Sequence, residues 1–182
     1  VEFAFVAPVF LVMIMGGMDI AYQAYLRSVI SGTVEGVARR SAVGGMTTDD
    51  VDAAIIDTVK AVLPVDAQNN PNTIRITKKS FSDYSSVGNP EKITNDTAPL
   101  GTYNVGDCYE DANRNNQFDA SGGTNGIGGA DEIVYYQVDV AFPRLFPVAG
   151  LLDWDPMVRA TAKTTVRNQP YGAQAVPPVR CN

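Results

Sequence analysis

The sequence predicts an α+β protein with a long N-terminal helix, a second short helix and an antiparallel β-sheet head. Three observations lead there. Residues 3–18 form one apolar run whose helical pattern carries on to about residue 43. A second amphipathic stretch opens at Thr47-Thr48 and closes at Pro64. Beyond residue 72, the segments that keep a periodicity alternate in and out like half-buried strands. Residues 1–45 are therefore expected to be the helix and residues 46–182 the α+β head.

The apolar run, FAFVAPVFLVMIMGGM, contains no charge and no strong hydrogen-bonding side chain. At 1.5 Å per residue it reaches about 24 Å, a little short of the roughly 30 Å hydrocarbon layer of a bilayer. A secretory signal carries basic residues ahead of its apolar core, whereas this run begins almost at residue 1. Processing in front of the helix, or a truncated start, is the expectation. After Asp19, the residues Leu26, Ile30, Val34, Val37 and Ser41 recur at three- and four-residue spacing, a stripe suited to packing on a sheet. A second face is small: Gly17, Ala21, Ala24, Ser28, Gly32 and Gly36 would let another helix approach closely. Gly44-Gly45 ends the pattern near Val43.

Thr47-Thr48-Asp49-Asp50 supplies an N-cap and first-turn acids, and Val51, Ile55, Val59, Val62 and Leu63 make one face of the second helix. A polar loop is expected at residues 66–72, then a strand from Thr73 toward Tyr84. Residues 85–106 hold Gly88, Pro90, Pro99, Gly101 and Gly106, so only a short strand near Lys92-Ile93-Thr94 is expected. Ile133–Phe142 and Val158–Val166 are β-rich, making three or four antiparallel strands in all. Trp154, in the turn between these two, is read as a core or interface residue. Residues 168–182 read as an extended tail needing a tether.

Composition removes several function classes. The net charge is −6, and residues 107–132 hold six acids (Asp107, Glu110, Asp111, Asp119, Asp131, Glu132) against Arg114 alone. An acidic chain without a Lys/Arg cluster does not suit nucleic acid, whose binding depends on cations displacing phosphate counterions. With no histidine, Ser-His-Asp and Cys-His catalysis and the commonest zinc ligand are absent, so an enzyme is not expected. Cys108 and Cys181 form no C-x-x-C motif and read as one disulfide in an oxidising compartment or as two buried thiols.

In Asp111-Ala112-Asn113-Arg114-Asn115-Asn116-Gln117-Phe118-Asp119, side-chain oxygens recur at loop positions 1, 3, 5 and 9. An EF-hand-type loop uses those positions plus the position-7 carbonyl, here that of Gln117, to surround a hard cation; Ca²⁺ is the expected cofactor. Asn116 stands at the turn-glycine position, and Asn tolerates a positive φ. Gly122 occupies position 12 in place of the bidentate glutamate, so closure is expected from Asp107, Glu110, Asp131 or Glu132.

Glu2 lies at the mouth of the apolar segment, where an unpaired carboxylate must reach the interface or a cation. With Glu2-Phe3-Ala4-Phe5-Val6-Ala7-Pro8 and the run behind it, the sequence resembles the TadE-like family of tight-adherence, type IV pilus-like systems. Cys108-Tyr109-Glu110-Asp111-Ala112-Asn113, Gly126–Asp131, Val134-Tyr135-Tyr136 and Val166–Tyr171 also look like that family. The resemblance implies a pilin-like subunit that starts in the inner membrane, engages a pilus assembly machinery and joins an extracellular homo-oligomeric filament. Glu2 would then pair with a neighbouring amino terminus. The usual pilin pattern places that glutamate fifth rather than second. Pro8 and the small-residue face complete the expected assembly set. A minor pseudopilin that primes or caps a pilus, and a single-pass anchored Ca²⁺-dependent binding domain, are the alternatives.

Overall fold

The computed structural model describes residues 2–146, 150, 154–169 and 171–181, with Glu2 by its backbone alone. The element order is α1 (Glu2–Ala42), α2 (Thr48–Val62), α3 (Val65–Gln68), β1 (Ile74–Phe81), β2 (Ile93–Asn95), β3 (Cys108–Glu110), β4 (Thr124–Asn125), β5 (Ile133–Pro143), β6 (Met157–Arg167) and β7 (Val179–Cys181). The α+β class holds. The strands form a four-stranded sheet in the order β4-β1-β5-β6 and a three-stranded sheet in the order β2-β3-β7.

The chain gathers into two compact units, one of residues 1–36, 52–76 and 137–163, the other of residues 37–51, 77–136 and 164–182. In the first unit the expected helical stripe is buried at Leu26, Ile30 and Val34, together with Ile55, Val59 and Leu63 of the α2 face. Val138, Val140 and Phe142 from β5 and Val158, Ala160 and Ala162 from β6 are the inward residues of two strands that alternate as the sequence predicts. The Tyr22 hydroxyl donates to Val62 O at 3.0 Å, and its ring meets Phe142 edge-on at 6.3 Å. Residues 3–14 of α1 are largely exposed although strongly apolar, and the helix is long and apolar enough to cross a membrane.

In the second unit Val37, Ala38 and Ala42 of α1 are buried, and so are Val51, Phe81, Ile133, Val134 and Tyr136. Ser41 donates to Ala38 O at 2.9 Å and accepts the Tyr136 hydroxyl at 2.7 Å, so the polar member of the stripe is fully partnered. α2 begins with a reciprocal cap. The Thr47 backbone N–H donates to Asp50 Oδ2 at 2.8 Å, and the Asp50 N–H donates to Thr47 Oγ1 at 3.2 Å.

Four elements depart from expectation. The four-residue helix α3 lies where a polar loop was expected, after Pro64. Strands β3, β4 and β7 were not foreseen; at two or three residues each they are too short to show a period. They exist through pairing. β3 takes β2 on one side and β7 on the other, with Cys108 directly opposite Cys181. Those cysteines form the disulfide, across 73 residues of sequence. The extended tail therefore has its tether.

Closing a loop of that length removes roughly 4 kcal/mol of unfolded-state entropy in the chain-entropy model. Reduction is expected to lower the denaturation midpoint of the full chain in detergent and to strip hydrogen-exchange protection from Val179–Cys181. An unchanged midpoint after complete reduction would show that strand pairing alone holds β7.

Candidate functional site

The Asp111–Asp119 loop is organised by carboxylates that act as acceptor hubs. Asp111 is fully buried; its two oxygens take the N–H groups of Asn115 and Asn116, each at 3.0 Å, and Arg180 Nε stands 3.4 Å away. The Asn115 and Gln117 N–H groups close Asx turns onto Asn113 Oδ1 at 3.0 Å and Asn115 Oδ1 at 2.7 Å. Asn113 Nδ2 and Asn115 Nδ2 both donate to Asp119 Oδ2, at 2.6 and 2.9 Å. Four of the five expected ligating residues thus meet through Asp111 and Asp119. Asn116 has φ 62°, the left-handed value its place in the loop required, and Arg114 adopts 60°.

Glu91 is the residue that sequence reasoning missed. Only 5% exposed, it accepts the Ala112 N–H at 2.8 Å and the Asp119 N–H at 3.0 Å, bracketing the loop at both ends. Burial pushes its carboxyl above the ordinary range, against the lowering effect of those two bonds, with Asp119 and Asp111 adding to the rise. A signal was present in the sequence only as an isolated acid after Pro90. Its partners lie 21 and 28 residues away.

The four residues expected to close the loop are engaged elsewhere. Asp107 is fully buried and accepts the N–H groups of Thr97 and Asn104, both at 2.8 Å, and the Thr97 hydroxyl at 2.7 Å. The Thr97 backbone bond above all holds its carboxyl below the usual carboxylate range. Glu110 pairs with Lys92 at 3.1 Å and Asp131 with Arg167 at 2.9 Å. Glu132 accepts the Gly129 N–H at 2.9 Å. Gly122, at position 12, is buried with its N–H on Asn89 O at 3.1 Å. Among the described residues, no three His, Cys, Asp or Glu side chains are grouped as a metal site.

Behind the loop, Phe118 stacks on Tyr103 at 4.1 Å and 7°, and Tyr109 meets both rings edge-on. The Tyr109 hydroxyl is buried without a hydrogen-bond partner among the described residues, and desolvation raises its pKa. The Gly-rich stretch is pinned by Asn168, whose Nδ2 donates to Ile127 O at 2.9 Å and Gly129 O at 2.8 Å. At Gly123, with φ 95°, a Cβ would meet the Phe81 ring at 2.6 Å, so only glycine fits.

Of the expected assembly residues, Pro8, Gly17, Ala21, Ala24, Ser28, Gly32 and Gly36 are all exposed along α1. A Cβ added at Gly17, Gly32 or Gly36 would touch nothing within 4 Å. Pro8 sits inside the helix without ending it. The Glu2 side chain lies outside the described residues.

Two titrations of opposite sense follow. Asp107, with a depressed folded pKa, contributes stability that is present above its unfolded pKa of about 3.9 and lost as pH falls through the folded value. Glu91, with a raised pKa, does the reverse: the folded state gains as pH falls through the folded value toward the unfolded one, near 4.3. Carboxyl-detected NMR on the full chain should find Glu91 titrating above the ordinary glutamate value and Asp107 below the ordinary aspartate value. Glu91→Ala strands two N–H groups and is expected to cost about 1–3 kcal/mol in denaturant titration.

No curated protein and no solved structure matches this chain. A family model described as TadE-like protein matches residues 1–39, the segment that holds the Glu2–Pro8 motif and the apolar run. The chain is therefore similar to TadE-like proteins over its N-terminal helix.

Proposed function

We propose that this chain is a structural subunit of a tight-adherence, type IV pilus-like filament, held in the inner membrane before assembly and carried outside by it. One observation carries the reading. A single 41-residue helix has an exposed apolar N-terminal half and, running on beyond it, an exposed stripe of small residues, while its remaining stripe is buried. An apolar helix surface exposed in the subunit is stable in lipid or against other such helices. Both environments belong to a pilin's life, and the TadE-like match of residues 1–39 supports the association with the pilus system and its assembly machinery.

Gly32→Leu is the direct test. The subunit has open space at that Cβ, so it should fold and reach the membrane normally, whereas a bulky side chain would keep neighbouring helices apart. Filament yield in sheared surface fractions is expected to fall at least several-fold, and Glu2→Ala should lower it too by removing the inter-subunit charge pairing. Normal yields from both variants would return the chain to a membrane-anchored or minor-subunit role.

Ca²⁺ at the Asp111–Asp119 loop belongs to the same reading. The side-chain ends of Asn113 and Asn115 already converge within 2.9 Å of Asp119 Oδ2, and turning the two amides would present oxygens there in exchange for the Asx bonds from the Asn115 and Gln117 N–H groups. With Asp111 and the Gln117 carbonyl this makes a hard-oxygen set of low charge, suited to Ca²⁺ rather than to the strict octahedron of Mg²⁺. Bound Ca²⁺ would relieve the repulsion that Asp119 and Asp111 exert on Glu91. A set with few carboxylates places the Kd at roughly 10⁻⁴–10⁻³ M, the range of extracellular modules. At about 100 Kd the ion would add ~2.7 kcal/mol. Thermal unfolding with Ca²⁺ and with chelator, repeated for Asp111→Ala, should show a rise in the wild type alone. No shift, together with no calorimetric binding, would leave the loop an acidic turn.

A further inference from the structure

The β5–β6 connection meets α1 at the residue where the apolar run stops. Asp19, only 3% exposed, accepts Arg144 Nη1 at 2.7 Å, the Leu145 N–H at 3.1 Å and Gln23 Nε2 at 2.8 Å. Arg144 also donates through Nε to Asp155 O at 2.8 Å, and its guanidinium lies 5.2 Å from the centre of the Trp154 ring. Trp154, though, is 44% exposed; Leu145 is 45% exposed, and Met18 and Ile20 on the helix are 52% and 60% exposed. Ile20, Gln23, Arg144, Trp154 and Asp155 line one open hollow. A half-exposed tryptophan braced by a buried ion pair is neither a core residue nor a loose one.

We infer that this lip, Arg144-Leu145 with Trp154 against the first turn after Asp19, is a lipid-contact surface seated at the bilayer interface while the chain is in the membrane. The inference rests on the membrane residence proposed above and adds where the membrane surface meets the protein. Three observations carry it. The lip is continuous with the apolar helix, because its ion pair is made at Asp19 itself. The apolar run ends at Asp19, the first charged residue after Met18, so the hydrocarbon boundary on the head side falls close to that residue. The groups gathered there are those an interface favours: a half-exposed indole, a guanidinium on its face, and Ile20 lining the same hollow. Arg144, Leu145 and Gln23 hide the Asp19 carboxylate from lipid, which removes the cost of holding a charge at that depth. Asp155 fits the headgroup layer, its Oδ1 taking the Met157 N–H at 2.8 Å.

Trp154 is the chain's single tryptophan, so its fluorescence reports this position alone. The full chain is reconstituted into phosphatidylcholine vesicles, isolated by flotation, and compared with vesicles whose lipid is brominated near the top of the acyl chains. Brominated lipid is expected to quench Trp154 roughly twofold, at the interfacial depth that tryptophan occupies in membrane proteins, and acrylamide to quench it weakly. A chain that floats with the vesicles yet is quenched by acrylamide and not by brominated lipid overturns the inference while leaving membrane residence intact. A chain that does not float overturns both. Shielding of Trp154 that arises only in assembled filaments would assign the lip to a second copy of this chain, and also overturns it.

Discussion

A carboxylate placed at the end of an apolar helical run must be partnered, and the structure of the first unit is arranged around that requirement at Asp19. Leaving the charge buried alone would cost more than most single contacts in a domain provide. Arg144, the Leu145 N–H and Gln23 supply its partners, which draws the β5–β6 connection onto α1 at one defined turn. Below that turn the helix shows apolar side chains to its surroundings; above it, Leu26, Ile30 and Val34 are buried. Breaking a buried pair of this kind by removing one partner typically costs about 3–5 kcal/mol, because the other charge is left buried and uncompensated. Tyr22 to Val62 and Tyr22 to Phe142 extend the same clamp to α2 and β5.

The second unit solves a different problem, which is how to order a long stretch with little regular structure. Residues 85–132 contain three strands of two or three residues, far too few to satisfy the backbone. Side-chain acceptors take over: Glu91, Asp107 and Asp111 each accept two backbone N–H groups. These three are among the buried carboxylates of the chain, and their burial follows from serving backbone donors rather than solvent. The Cys108–Cys181 disulfide and the β3–β7 pairing then hold the C-terminal tail against the start of the loop, bringing Arg180 to Asp111. A Ca²⁺ ion in the loop would add to this scheme by neutralising charge.

The family match and the chemistry divide along the chain. Residues 1–39 carry the TadE-like signal, in the part of the molecule whose exposed apolar and small faces suit other helices and lipid. The acidic loop, the disulfide and the aromatic cluster all lie beyond it. A chain built this way can keep an exposed apolar and small-residue face on one helix while its surface loops vary, because the constraints on the two are physically separate: apolar contact for one, charge and hydrogen bonding for the other.

By itself the sequence determined every element long enough to carry a period. α1 with its buried stripe, α2 with its Thr47–Asp50 cap, and the alternating strands β5 and β6 follow from spacing, because side-chain direction repeats with the backbone geometry. The Asx-rich loop and the positive φ at Asn116 were legible for the same local reason. Only the tertiary structure decided which acid closes the loop, since Glu91 reaches Ala112 and Asp119 across 21 and 28 residues while nearer acids such as Glu110 and Asp131 pair with Lys92 and Arg167. It likewise decided that the tail becomes β7 opposite β3, and that Trp154 stays half-exposed on Arg144 instead of entering the core. Such contacts depend on where distant segments meet, and a partner brought in from tens of residues away leaves no periodic trace in the local sequence.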